Sequence, residues 1–188
     1  MLSVFSLFVL IVVLGAQILR RPFLAKYIFL FSISVVFAAL FYRSYLQYQV
    51  WSQNGISKFL LPPHQSANYF IFYVITRFFA SYLISLAAAI LFFIAASILN
   101  KKYRERFFYP EEFWLGALSL FLVGHPGLIF YFIFLVLAYL SIQFFFFLIF
   151  RFPFFRVSLY YLWTPIAIFV ILATKWLQTS TIWNLLKI

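Results

Sequence analysis

Residues 69–99 read YFIFYVITRFFASYLISLAAAILFFIAASIL, an apolar run in which Arg77 is the only charged residue. As an α-helix this run is about 46 Å long, whereas about 20 apolar residues already suffice to cross the hydrocarbon core of a bilayer. The run therefore predicts a transmembrane helix with length to spare. Arg77 falls about 34 Å from Asn100 along such a helix. We expect its guanidinium to reach water as an interface anchor, and a buried counter-ion is the alternative.

Apolar runs of this kind recur through the chain. Of 188 residues, 67% are hydrophobic and 9% are charged, whereas about half of an ordinary soluble domain is apolar. We predict an all-α integral membrane protein with about six transmembrane helices in a single polytopic domain, residues 1–188. The spans are expected near residues 2–19, 27–42, 69–99, 113–123, 128–150 and 159–176. Because 113–123 is short, the alternative is five spans plus a half-helix at 113–123.

The positive residues indicate how the spans are oriented. The net charge is +11, but Lys and Arg are spread over short breaks between apolar runs, so nucleic acid is not an expected partner. With six spans and the N-terminus outside, three inner breaks carry most of them: Arg20, Arg21, Lys26, Lys101, Lys102, Arg104, Arg106, Arg151 and Arg156. Lys and Arg are enriched on cytoplasmic loops. We therefore expect a multi-pass protein of the bacterial cytoplasmic (inner) membrane.

The two ends of the first span and the longest polar stretch complete the predicted topology. The first apolar run is followed, not preceded, by positive residues, which predicts an uncleaved anchor. Residues 43–68 mix polar and aromatic side chains and contain Asn54-Gly55 and Pro62-Pro63. They predict an outer loop, with Trp51 as a second anchor at the membrane interface.

All three carboxylate side chains of the protein lie within residues 104–114, RERFFYPEEFW. They are Glu105, Glu111 and Glu112, at the predicted cytoplasmic mouth of the fourth span. Pro followed by two Glu residues is typical of a helix N-terminus, where carboxylates oppose the helix dipole. A general acid or base at Glu112, with Glu111 and Glu105 as further candidates, is the catalytic alternative. Glu111 and Glu112 point about 100° apart on a helix, which disfavours a dyad.

The remaining polar residues offer weaker hypotheses. His64 and His125 fall on the same predicted outer side, and a shared metal ion is one reading, with solvated loop histidines as the other. Ser81, Ser85 and Ala89 recur every four residues and predict close helix packing. Gln143 is a lone polar group within the fifth span and predicts an interhelical hydrogen bond.

Two residue types are missing altogether. The chain has no cysteine, which excludes disulfides, thiolate metal sites and cysteine nucleophiles. It also has no aspartate, which excludes an aspartyl dyad. No glycine-rich phosphate loop, Ser-His-Asp set or serine elbow is present. We expect no cofactor.

Residues 110–172 resemble the C-terminal half of type IV prepilin peptidases. In PEEFWLGALSLFLVGHPGL, Glu112 stands where that family has a catalytic Asp, and Gly124 follows twelve residues later. RVSLYYLWTPIAIFVIL resembles the family's last span. Trp114 stands where a Lys is usual, and no partner Asp lies upstream, so the resemblance implies shared topology without shared activity.

The whole chain also resembles an uncharacterised group of small polytopic membrane proteins from candidate-phylum bacteria. Segments similar to SKFLLPPHQS, ERFFYPEE, FLVGHPG and YYLWTPIAIFVIL recur in that group. This resemblance implies no function.

Three functions are compatible with the sequence. The leading hypothesis is a non-enzymatic scaffold or subunit of a membrane assembly, whose partners are the lipid bilayer and other membrane-protein subunits or further copies of itself. The second is a degenerate prepilin-peptidase-like membrane enzyme that uses Glu112. The third is a small permease lined by Arg77, Gln143 and the Pro165 helix, which is disfavoured because few polar groups are expected at mid-membrane depth.

Overall fold

A computed structural model describes residues 2–19, 24–103, 108–150 and 158–186 of the chain. Within these residues the regular structure is entirely helical, which confirms the predicted all-α class for this part. The α-helices are α1 (Leu2–Ile18), α2 (Leu24–Gln53), α3 (Ala67–Val74), α4 (Ala80–Lys102), α5 (Pro110–Val123), α6 (Gly127–Phe150), α7 (Trp163–Leu177) and α8 (Thr181–Leu186). Short 3₁₀ turns occupy Ser57–Leu60 and Leu159–Tyr161, and a π-helical turn, Ile75–Phe79, joins α3 to α4.

Four helical segments of the described part are long and apolar enough to cross a membrane. They are Leu24–Gln53, Ala67–Lys102, Gly127–Ile149 and Leu159–Leu177. The helix Leu2–Ile18 is apolar but shorter. These segments fit a membrane protein, since each matches or exceeds the roughly 20 residues that a bilayer crossing needs.

Helix α5 lies at the centre of the bundle. Every residue from Leu115 to Leu122 is buried, and α5 contacts α1, α2, α4, α6 and α7. A helix that is apolar on all sides is buried either in a protein core or in a membrane, and here other helices surround α5. Residues at its two ends define where α5 begins and ends. Glu111 and Glu112 occupy the first turn, and the helix ends before Gly124, whose φ of 76° favours glycine. The shortest apolar run of the sequence is therefore the core of the fold.

Helices α4 and α5 run antiparallel and close together. Near one end, the Asn100 side-chain oxygen accepts the Phe108 backbone N–H at 3.1 Å. Near the other end, the Ser81 hydroxyl donates to the His125 carbonyl at 2.5 Å. Between them, Gly116 of α5 allows the ring of Phe92 to approach so closely that an added Cβ would lie 2.4 Å from the Phe92 Cε1.

The predicted outer loop 43–68 is shorter in the structure, because α2 continues to Gln53. The prediction of a loop is wrong over residues 43–53. Residues 24–53 contain neither Gly nor Pro, so nothing interrupts the helix before Asn54-Gly55. The Asn54 side-chain oxygen accepts the backbone N–H groups of Ile56 and Ser57, which turns the chain. The last turns of α2 are held by rings: Trp51 lies 4.8 Å from Tyr73 between ring centroids.

Candidate functional site

Among the described residues, Glu112 is the most deeply buried ionisable side chain that the sequence singled out. Only 1% of its surface is exposed, and its Oε1 accepts a hydrogen bond from the Ser158 hydroxyl at 2.7 Å. Its backbone N–H bonds the Tyr109 carbonyl at 2.9 Å within the first turn of α5. Glu111, one position earlier, is half-buried. The about 100° rotation per residue thus turns only one of the adjacent carboxylates fully inward.

Ser158 extends this contact into a chain of hydrogen bonds. The Ser158 hydroxyl oxygen accepts the Tyr160 backbone N–H at 3.2 Å, which caps the 3₁₀ turn ahead of α7. The Tyr160 carbonyl in turn accepts the Gln17 Nε2–H at 2.8 Å. Gln17 belongs to α1 and is 2% exposed. We call Glu112, Ser158, Tyr160 and Gln17 the polar tie, because they join the ends of α1, α5 and α7.

The polar tie can hold helices together, but its geometry offers little to a substrate. A general acid or base must come within hydrogen-bond reach of the group that it protonates or deprotonates, whereas the Glu112 carboxyl is enclosed and engaged by Ser158. Glu105 lies outside the described residues. Among the described residues, only Glu112 brings a carboxylate into hydrogen-bond contact with Ser158. Structural support is the use that this geometry fits best, and catalysis by Glu112 stays a prediction.

The two histidines have separate surroundings. The His64 ring packs edge-on against Phe59 at 4.9 Å between centroids. The His125 Nε2 lies 2.7 Å from the Leu186 carbonyl, which fastens α8 to the turn between α5 and α6. Across residues 2–19, 24–103, 108–150 and 158–186, no group of three or more His, Cys, Asp or Glu residues is arranged to hold a metal ion.

The predicted packing residues occupy different environments. Ser85 and Ala89 are fully buried on α4, which packs along α5, and the Ser85 hydroxyl bonds the Ser81 carbonyl at 2.8 Å. Gln143 is half-buried on α6.

The two predicted interface anchors also differ. Arg77 is exposed within the π-helical turn, which leaves its guanidinium on the bundle surface. Trp51 is instead enclosed by the rings of Tyr69, Phe70 and Tyr73, so aromatic packing accounts for its position. Their role at a membrane interface stays a prediction.

A cavity of about 170 Å³ opens where the α5–α6 turn meets the start of α1 and the end of α7. Ser81 and His125 line it, together with Ser6, Thr174 and Trp183. This cavity lies at the end of the bundle opposite to the polar tie. Ser81 lines the cavity, whereas Asn100 bonds Phe108 just before the turn of α5 that contains Glu112. Ser81 and Asn100 are about 28 Å apart along α4.

Sequence reasoning missed Gln17, Asn100 and Ser158. A signal existed for Gln17, since a buried amide within an apolar run needs a hydrogen-bond partner. The Ser158 hydroxyl bonds Glu112, which is 46 residues away, and Asn100 bonds Phe108 across the break between α4 and α5. Nothing in the local pattern identifies these partners. Four buried polar atoms have no hydrogen-bond partner among the described residues: Gln17 Oε1, Ser119 Oγ, Trp163 Nε1 and Thr164 Oγ1.

No family model matches the chain, and no curated protein or solved structure matches it.

Proposed function

We propose that the chain is a non-enzymatic, six-span subunit or scaffold of a membrane-protein assembly. In this proposal it sits in the cytoplasmic membrane of a bacterium with its N-terminus outside. The observation that supports the function as a subunit is that no described residue hydrogen-bonds the side-chain amide of Gln143 on α6. The packing of α5 supports the number of spans.

Helix α5 supports six crossings over five crossings plus a half-helix. Asn100 and Ser81 mark the two ends of the path that α5 takes beside α4, through Phe108 and His125. Asn100 follows Ser81 by nineteen residues, and each residue of α4 rises 1.5 Å, so this path is about 28 Å long. That length is close to the roughly 30 Å of the hydrocarbon core. A half-helix would return to its starting side, whereas the turn at 124–127 lies at the far end of this path.

The second half of helix α6 is less buried than its first half. None of residues 136–149 is buried, although Leu128, Phe130, Tyr131 and Leu135 in the first half are. Lipid can cover the exposed Leu, Ile and Phe side chains. It cannot cover an amide equally well, because the hydrocarbon core provides no hydrogen-bond partners.

Gln143 lies within this less buried half, and among the described residues nothing hydrogen-bonds its side-chain amide. Polar side chains at such depth are commonly satisfied by a second helix. A helix from another subunit, either a second copy or a different membrane protein, would supply that hydrogen bond. The polar tie joins α1, α5 and α7 through residues that do not belong to α6.

Purification of the tagged protein from its own membranes in mild detergent tests the proposal. Native mass determination should show an oligomer or a stoichiometric partner. Interhelical hydrogen bonds in membranes contribute about 0.6 to 1.7 kcal/mol, so Gln143→Leu should weaken the association roughly three- to fifteenfold. Gln47→Leu makes the same chemical change at a half-buried position of α2 and should leave the association unchanged.

Site-specific photocrosslinking locates the contact. A photoreactive residue at Phe144, 63% exposed on α6, should capture protein, while one at Leu91, 68% exposed on α4, should not. A wild-type monomer, together with equal labelling at both sites, would contradict the subunit proposal.

A further inference from the structure

The cavity beside the α5–α6 turn has a mixed lining, in which apolar surface exceeds polar surface and several side chains carry hydroxyl groups. Its volume is about 170 Å³. For scale, a 150 Å³ protein cavity is known to hold benzene, so this cavity has room for about six to eight non-hydrogen atoms. Its walls come from α1, α4, α7, α8 and the turn at Gly124.

Ser6 supplies one hydroxyl near the cavity. It lines the cavity and is 1% exposed, and its hydroxyl makes no hydrogen bond to another described residue. A water or a ligand in the cavity can satisfy a hydroxyl of this kind. Ser3 and Tyr82 also line the cavity, and their hydroxyls have no hydrogen bond to the described part of the chain. Three hydroxyls can therefore donate or accept.

The other polar groups in the wall can only accept. The Ser81 hydroxyl already donates to the His125 carbonyl, and the Thr174 hydroxyl donates to the Val170 carbonyl at 3.0 Å. The Leu186 carbonyl is an acceptor, so the His125 Nε2 beside it must carry the proton and donate. In neutral His125 the Nδ1 is then an acceptor. The lining thus offers three free hydroxyls and three further acceptor atoms.

Charge narrows the ligand further. Among the described residues that line the cavity, none carries a charged side chain when His125 is neutral. An isolated ion in such a site would lose its hydration without a compensating partner. A neutral molecule with several hydroxyl groups can instead donate to the acceptors and accept from the free hydroxyls, while Ile171 and Trp183 cover its carbon atoms.

We propose that this cavity binds a small uncharged polyol of about the size of glycerol. The ligand is either a free polyol or the glycerol headgroup of a membrane lipid. The second source is compatible with the exposed Arg43 on α2, whose guanidinium can pair with a lipid phosphate.

Glycerol titration of the intact protein, prepared in glycerol-free detergent, tests the site by ligand-observed NMR. Saturable binding is expected, with Ser6→Ala and Tyr82→Phe each weakening it three- to tenfold, the value of one hydrogen bond. Both variants keep the backbone, and Tyr82→Phe keeps the ring beside Phe121. The matched control is Ser34→Ala, whose exposed hydroxyl bonds only its own helix and whose loss should change nothing.

Native mass spectrometry separates the two sources. Preferential retention of phosphatidylglycerol over phosphatidylethanolamine with the same acyl chains, reduced at least threefold in Ser6→Ala, supports the lipid headgroup. Glycerol binding without that preference supports the free polyol. The proposal is overturned if neither ligand binds saturably, or if Ser6→Ala and Tyr82→Phe bind as the wild type does.

Discussion

Ser158→Ala tests whether the polar tie stabilises the bundle. The change removes the donor 2.7 Å from Glu112 Oε1 and the acceptor of the Tyr160 backbone N–H. A hydrogen bond to a charged group contributes about 1.5 to 3 kcal/mol in soluble proteins, whereas interhelical bonds in membranes average about 0.6 and reach about 1.7. Because Glu112 is 1% exposed, water cannot easily replace Ser158. We therefore expect a loss near the upper membrane value, about 1.5 kcal/mol.

The loss is measurable by unfolding in mixed micelles with increasing SDS, followed by tryptophan fluorescence. In a thermal melt the same loss corresponds to a midpoint lower by about 3 to 6 °C for a chain of this size. Ser34→Ala removes an exposed hydroxyl that bonds the Leu30 carbonyl of its own helix, and should change the free energy of unfolding by less than about 0.5 kcal/mol. If Ser158→Ala unfolds like Ser34→Ala, the polar tie does not stabilise the protein.

Two further stability predictions rest on the core around α5. Gly116→Ala should destabilise the protein by about 1 to 3 kcal/mol, because the added Cβ would overlap the Phe92 ring. The same change at Gly15, where nothing lies within 4 Å of the added Cβ, should stabilise α1 by up to about 1 kcal/mol. Equal effects of the two changes in SDS unfolding would contradict the close packing of Phe92 on Gly116. Tyr131→Phe should cost about 1 kcal/mol, since the fully buried hydroxyl donates to the Trp163 carbonyl at 3.1 Å, and an unchanged thermal midpoint would show that this bond contributes nothing.

The strongly apolar runs were predictable as helices because apolar runs of this length are typical of membrane-spanning helices. The run 128–150 coincides with α6 (Gly127–Phe150), and the run 2–19 with α1 (Leu2–Ile18). The end of α2 was not predictable from apolarity, since residues 43–53 are polar and aromatic. Their helix is maintained by Trp51 packing on α3, a contact between residues separated by a loop.

The burial of α5 was also not predictable from the apolarity of the sequence. Hydrophobicity alone does not say whether a short apolar run faces lipid or other helices, and α5 is less apolar than α6. The signal lay in its small residues, since Gly116 and Ala117 permit close approach where bulky residues would not. Which helices use that space depends on tertiary packing.

The candidate site was predictable in part. The acidic residues at the start of α5 indicated a helix N-terminus, and the structure places Glu111 and Glu112 in that first turn. Which of them turns inward depends on the position of Ser158, which is remote in sequence. The same holds for the cavity, whose walls join Ser6 to Thr174.

Single-cysteine labelling tests the six-span topology most directly, because the chain has no cysteine of its own. Tyr109→Cys, His64→Cys and Thr179→Cys each place a thiol at an exposed position for a membrane-impermeant maleimide. Six spans with the N-terminus outside predict that positions 64 and 179 are labelled in intact cells and that position 109 is labelled only after the membrane is opened. If position 179 behaves like position 109, α5 does not cross the membrane, and the six-span account is wrong.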